Sequence, residues 1–177
     1  MQFPLIRRGV ILLGLVVCGC VLLAGCFETT LNLGSAADAR VDPAYCGDWH
    51  FEWKDGDKTD SADLLLRNFD GRQYYAEWSD KKSETLRMSG FLVPIKDATF
   101  AQLTAMEPDG HLDAKHMILK VKLDDADKLT LTNLKEDFFK DVSTDAELRK
   151  KVEENLNNPA MYEDVGTGTR VAISAPH

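Results

Sequence analysis

Positive charge and cysteine are both scarce in this chain. Lysine and arginine number 21 against 29 aspartate and glutamate, a formal net charge of −8. A nucleic-acid binder needs a basic face that neutralises phosphates, so the balance argues against a nucleic-acid partner. Of the four cysteines, Cys18, Cys20 and Cys26 lie in the first 26 residues and only Cys46 lies in the body of the chain. A framework of internal disulfides is therefore excluded from the body. No charge-free apolar run reaches the roughly 20 residues of a comfortable membrane-spanning helix. No G-x-S-x-G elbow, P-loop, G-x-G-x-x-G or H-E-x-x-H is present, so no catalytic set and no cofactor fingerprint stands out. The expectation is a non-catalytic protein without a cofactor.

Metal-ligand patterns are equally thin. His111 and His116 are five apart, a spacing that puts them on opposite faces of a strand. Asp55, Asp57 and Asp60 fail as a calcium loop. Asp60 stands at the sixth position, where glycine is required, and Leu66 at the twelfth, where glutamate belongs. Asp124, Asp125 and Asp127 read as another solvated turn. No metal site is expected.

What is present begins at the N-terminus. Arg7 and Arg8 precede Gly9 to Leu23, fifteen residues without charge. That is the length of a signal-peptide apolar region rather than of a membrane span. Leu23-Ala24-Gly25-Cys26 follows. This segment resembles the lipobox of bacterial lipoproteins: Leu, a small residue, Gly or Ala, then the modified cysteine. The resemblance implies cleavage between Gly25 and Cys26, a diacylglyceryl group on the Cys26 thiol and, usually, acylation of the new amine. Cys18 and Cys20 are then small apolar members of the signal. Two or more acyl chains anchor a protein stably, where one does so only marginally. The resemblance places the protein on a cell membrane, or on the periplasmic face of the outer membrane in a Gram-negative source. In that family an Asp after the cysteine favours inner-membrane retention, and Phe27 does not.

The remaining composition, 44% hydrophobic and 28% charged over 177 residues, fits one ordinary globular domain. Residues 26–45 show no sustained periodicity beyond Cys26, and Asp42-Pro43 closes them. They read as a lipidated N-terminus and flexible tether, with a folded domain over 46–177. The lone Cys46 reads as a small buried apolar residue rather than a nucleophile or an intermolecular bridge.

From Asp48 to Leu134 the hydrophobic period is two. Trp49, Phe51 and Trp53 alternate with Asp48, His50 and Glu52, which predicts a half-buried strand. Further strands are predicted at 62–69, 72–78, 85–93 (stopped by Pro94), 98–106, 116–123, 128–134 and 168–174. Asp70-Gly71 predicts a tight hairpin with positive φ at both residues. One helix is expected from Thr144, with Glu147 completing a capping box. Leu148, Val152 and Leu156 form its single apolar stripe, and Pro159 marks its end.

The fold predicted is mainly β. It is an up-and-down antiparallel barrel or strongly curved sheet of about eight strands, with one C-terminal-half helix packed outside. Gly47-x-Trp49 at the first strand, the meander and the late helix resemble the lipocalin/calycin architecture, with Arg170 on the last strand. The resemblance implies an internal pocket for a small apolar ligand, with Trp49, Phe51, Trp53, Tyr75 and Trp78 as its candidate lining. Small eight-stranded barrels are also often filled by their own side chains. A partner on the outer surface, another envelope protein, is then the alternative.

Overall fold

The structure is a computed structural model that describes residues 27–55, 58–81 and 83–172. Residues 1–26, which hold the segment expected to be a signal and the expected cleavage site at Gly25 and Cys26, lie outside the described residues. Eight antiparallel strands close a barrel: β2 (Gly47–Asp55), β3 (Lys58–Asn68), β4 (Tyr74–Asp80), β5 (Leu86–Ile95), β6 (Ala98–Met106), β7 (Leu112–Asp125), β8 (Lys128–Leu134) and β9 (Tyr162–Arg170). Strands β2 to β8 follow one another as hairpins. β9 then enters between β8 and β2 and completes the ring. Closure removes the exposed edges that an open sheet presents. β7 runs past the end of β8, and the short strand β1 (Glu28–Thr29) pairs with the stretch left over.

The alternation in the sequence is the alternation of the wall. Trp49, Phe51, Ala62, Leu64, Ala76, Trp78, Met88, Ala101, Leu119 and Val121 point inward and are buried. Asp48, His50 and Glu52 point outward, as expected. Aromatic packing is direct: the Phe51 and Trp78 ring centroids are 5.3 Å apart. A Cβ on Gly168, the register partner of Phe51, would lie 2.5 Å from the Phe51 ring. Only glycine therefore fits opposite that ring.

β5, β6 and the middle of β7 are buried on both faces. Phe91, Val93, Ile95, Ala98 and Phe100 point out of the barrel, yet all are buried. A second core covers them. Its roof is helix α2 (Asp145–Glu154), which contributes Leu148, Val152 and, just past its end, Leu156. Thr144 and Glu147 form the expected capping box: Glu147 N donates to Thr144 Oγ1 at 3.2 Å, and Thr144 N donates to Glu147 Oε2 at 3.1 Å. Burying each aliphatic side chain of that stripe contributes about 1.5–3 kcal/mol. The one-turn helix α1 (Glu136–Phe139) adds Phe139.

Residues 27–45 do not form the expected tether. Phe27, Leu33 and Ala39 are buried in the second core. Side chains distant in sequence supply the hydrogen bonds. Leu33 N donates to the buried Gln102 Oε1 at 2.8 Å, Gln102 Nε2 donates to Asn32 Oδ1 at 2.9 Å, and Arg149 donates to the Leu33 carbonyl at 3.0 Å. Asp42 N donates to the Tyr74 hydroxyl at 2.7 Å. The folded unit therefore includes residues 27–45 and does not begin at Cys46. A buried backbone segment needs such partners, and here they replace a ladder.

Other boundaries shift for local reasons. β5 continues through Pro94, which pairs with Thr99 beside the hairpin end and is exposed; a proline is tolerated there because its missing N–H faces water. The Asp70-Gly71 hairpin is not the tight turn predicted. Only Gly71 has positive φ, and Asp70 Oδ1 accepts from Arg72 N and Gln73 N. Those two N–H donors hold the Asp70 carboxyl below the usual carboxylate range. The helix ends at Glu154, before Pro159, and the closing strand lies at 162–170 rather than 168–174.

Candidate functional site

The most organised part of the molecule is one end of the barrel. A one-turn 3₁₀ helix (Pro43–Tyr45), capped by Asp42, leads into β2 across this end. Trp49 is fully buried beneath it and donates from Nε1 to the Tyr45 carbonyl at 3.1 Å. The Arg170 guanidinium lies 4.2 Å from the Trp49 ring centroid. The same guanidinium donates to the carbonyls of Cys46 (2.6 Å), Ala44 (2.7 Å) and Ala126 (2.8 Å). One side chain thus ties the entry turn, the first barrel strand and the β7–β8 turn together. Gly47 makes the approach feasible, because a Cβ there would collide with Arg170 Nη1. The Gly-x-Trp spacing is accounted for: Gly47 clears the path for the arginine and Trp49, two residues on, offers its ring to it.

Arg170→Ala should therefore destabilise the barrel. The cation–π contact over a shielded ring is worth about 0.5–2 kcal/mol, and each charge-assisted hydrogen bond about 1.5–3 kcal/mol, less solvent screening. A loss of about 2–4 kcal/mol in urea melts is expected. Arg170→Lys should recover little of it, because a point charge cannot serve three carbonyls and a ring at once. Full recovery by lysine would show that charge alone matters.

Above this closure lies an internal gap of about 50 Å³ lined only by apolar and aromatic residues, among them Tyr45, Leu64, Met88, Leu119 and Leu131. Of the five aromatics expected to line a pocket, only Trp78 borders it. Trp49 and Phe51 are packed into the wall, and Trp53 is partly buried at the opposite end, its Nε1 without a hydrogen-bond partner among the described residues. Tyr75 is outside the barrel altogether. Its hydroxyl donates to the Glu77 carboxylate, and Arg87 donates to the same Glu77 oxygen at 3.1 Å. The neighbouring Tyr74 points inward instead, and burial pushes its hydroxyl up to about 12. Cys46 stands at the closed end, half-buried, and burial pushes its thiol up. That is opposite to the shift that makes a cysteine nucleophilic.

The outer wall over β2 to β4 is charged. His50 lies 2.6 Å from Asp63 and 3.4 Å from Glu52. Asp63, with Glu52 adding to it, holds the imidazole above its ordinary range. Asp48 pairs with Arg67 at 2.7 Å. Among the described residues no three His, Cys, Asp or Glu side chains gather as a metal site would require. No helix among them is long and apolar enough to cross a membrane. Comparison with known protein families, with curated proteins and with solved structures finds no match to this chain.

Proposed function

We propose that the chain is a bacterial envelope lipoprotein, cleaved before Cys26 and held to the membrane by acyl chains on that residue. Its barrel acts as a non-catalytic interaction module for another envelope protein. The observation that carries the second statement is the barrel interior. A carrier of an apolar ligand needs space, and a gap of about 50 Å³ falls well below the roughly 150 Å³ that accommodates benzene. With the interior filled, recognition falls to the outer wall. The α2 side of that wall is already covered, and the β2–β4 side presents its carboxylates, His50 and Arg67 to solvent. The charged n-region, the apolar run and Leu23-Ala24-Gly25-Cys26 support the anchor. The Gly47–Trp49–Arg170 closure supports the likeness to the lipocalin/calycin architecture.

One observation favours a carrier of a small apolar ligand as a second reading. The gap has no polar lining, and the unbranched Met88 at its wall can move aside. Native mass spectrometry of residues 27–177, produced without the signal, separates the two readings. The filled barrel should fly as bare polypeptide. A stoichiometric apolar adduct would replace the outer-surface reading with the carrier.

A further inference from the structure

We infer that the barrel lies directly on the lipid surface, its β7–α1 side against the bilayer, instead of hanging from a linker. The inference rests on the lipoprotein reading above and adds an orientation to it. Its basis is that the residue bonded to Cys26 is already part of the fold. Phe27 is 6% exposed, its ring centroid is 4.8 Å from that of Phe139, and its carbonyl accepts from Ile118 N at 3.2 Å. Consecutive Cα atoms are about 3.8 Å apart. Phe27, held beside β7 and α1, is thus one residue from the sulfur that would carry the lipid, and beyond that sulfur only a short glyceryl linker would precede the acyl chains.

Those chains leave water only by entering the hydrocarbon layer, at about 0.8 kcal/mol per methylene buried. The wall that bears Phe27 must then stay within a headgroup's reach of the membrane. The surface around it is mixed. Glu28 and Lys115 neutralise each other at 3.3 Å, the Lys151 ammonium sits 5.2 Å from the partly exposed Phe138 ring, and Glu136 and Asp137 of α1 are exposed. A chain of net charge −8 has no basic surplus to hold it on anionic lipid, so the covalent anchor alone sets the orientation. β3 stands four strands away in either direction round the barrel, on the far wall.

The test uses the full lipidated protein in vesicles of phosphatidylethanolamine and phosphatidylglycerol doped with a headgroup-nitroxide lipid. A fluorophore is placed on Asp137→Cys in α1 or on Asp63→Cys in β3, each in a Cys46→Ser background. The nitroxide should quench the α1 label several-fold more than the β3 label. A Gly-Ser spacer of about 16 residues between Cys26 and Phe27, with a reach of roughly 20–24 Å, should abolish most of that difference while leaving the packing of Phe27 intact. Equal quenching without the spacer, stronger quenching of the β3 label, or a difference that the spacer leaves unchanged would overturn the orientation. A protein whose mass shows no lipid would instead overturn the lipoprotein reading itself.

Discussion

Trp49→Ala should leave the domain close to unfolded at room temperature. The ring is fully buried, stacks under Arg170 and donates to the Tyr45 carbonyl. Deleting a buried large aromatic costs about 3–5 kcal/mol, against about 5–15 kcal/mol for a whole domain. The neighbouring His50→Ala is the control. His50 lies on the outer wall, its side chain 37% exposed, in ion pairs with Asp63 and Glu52. Exposed pairs are worth about 0–1 kcal/mol. Because the folded state raises the His50 pKa, that small contribution is fully present below the unfolded value of about 6.5. It disappears as pH rises through the folded value. Urea melts of residues 27–177 on both sides of that window should show a large, pH-independent loss for Trp49→Ala. The loss for His50→Ala should be small and confined to the acid side. Equal losses, or a costlier His50, would mean that the two faces of β2 are reversed.

Cys26→Ser should abolish lipidation entirely. The thioether needs a thiol, and the serine hydroxyl that replaces it is a far weaker nucleophile at neutral pH. Cys18 and Cys20 lack the Leu-Ala-Gly context, so no second acceptor takes over. The variant should accumulate as uncleaved precursor and take up no palmitate analogue, where the natural sequence labels strongly. Label persisting in Cys26→Ser would remove the basis for the anchor and for the membrane orientation together. Release from the membrane is not the readout, because the retained apolar segment would hold the precursor there.

The barrel was legible because its signal is short-range. Trp49, Phe51 and Trp53, and later Met117, Leu119, Val121 and Leu123, each repeat within one strand, where side chains alternate with period two. Tyr75 was legible by the same rule. Trp78 sets the inward parity of β4 at 74, 76 and 78, so two adjacent tyrosines cannot both face in, and Tyr75 is the one that faces out. The unbroken run Phe91-Leu92-Val93-Pro94-Ile95 is the mark of a strand buried on both faces. It implied a cover, but nothing local says what the cover is. Residues 27–45 were the least legible. They have no period, because Phe27, Leu33 and Ala39 reach the second core from an irregular stretch of chain. Their partners Gln102, Asp145 and Arg149 lie about 70 residues away or more in sequence. The Trp49–Arg170 closure joins residues at nearly opposite ends of the domain, so the sequence offered Gly47, Trp49 and Arg170 separately but not their contact.

The most direct measurement is the intact mass of the protein extracted in detergent from the membranes of its own source. The lipoprotein account predicts a polypeptide that begins at Cys26 and carries a diacylglyceryl group, usually with a further acyl chain on the new amine. An unmodified chain beginning at Met1, or a chain cut at another residue and free of lipid, would contradict it.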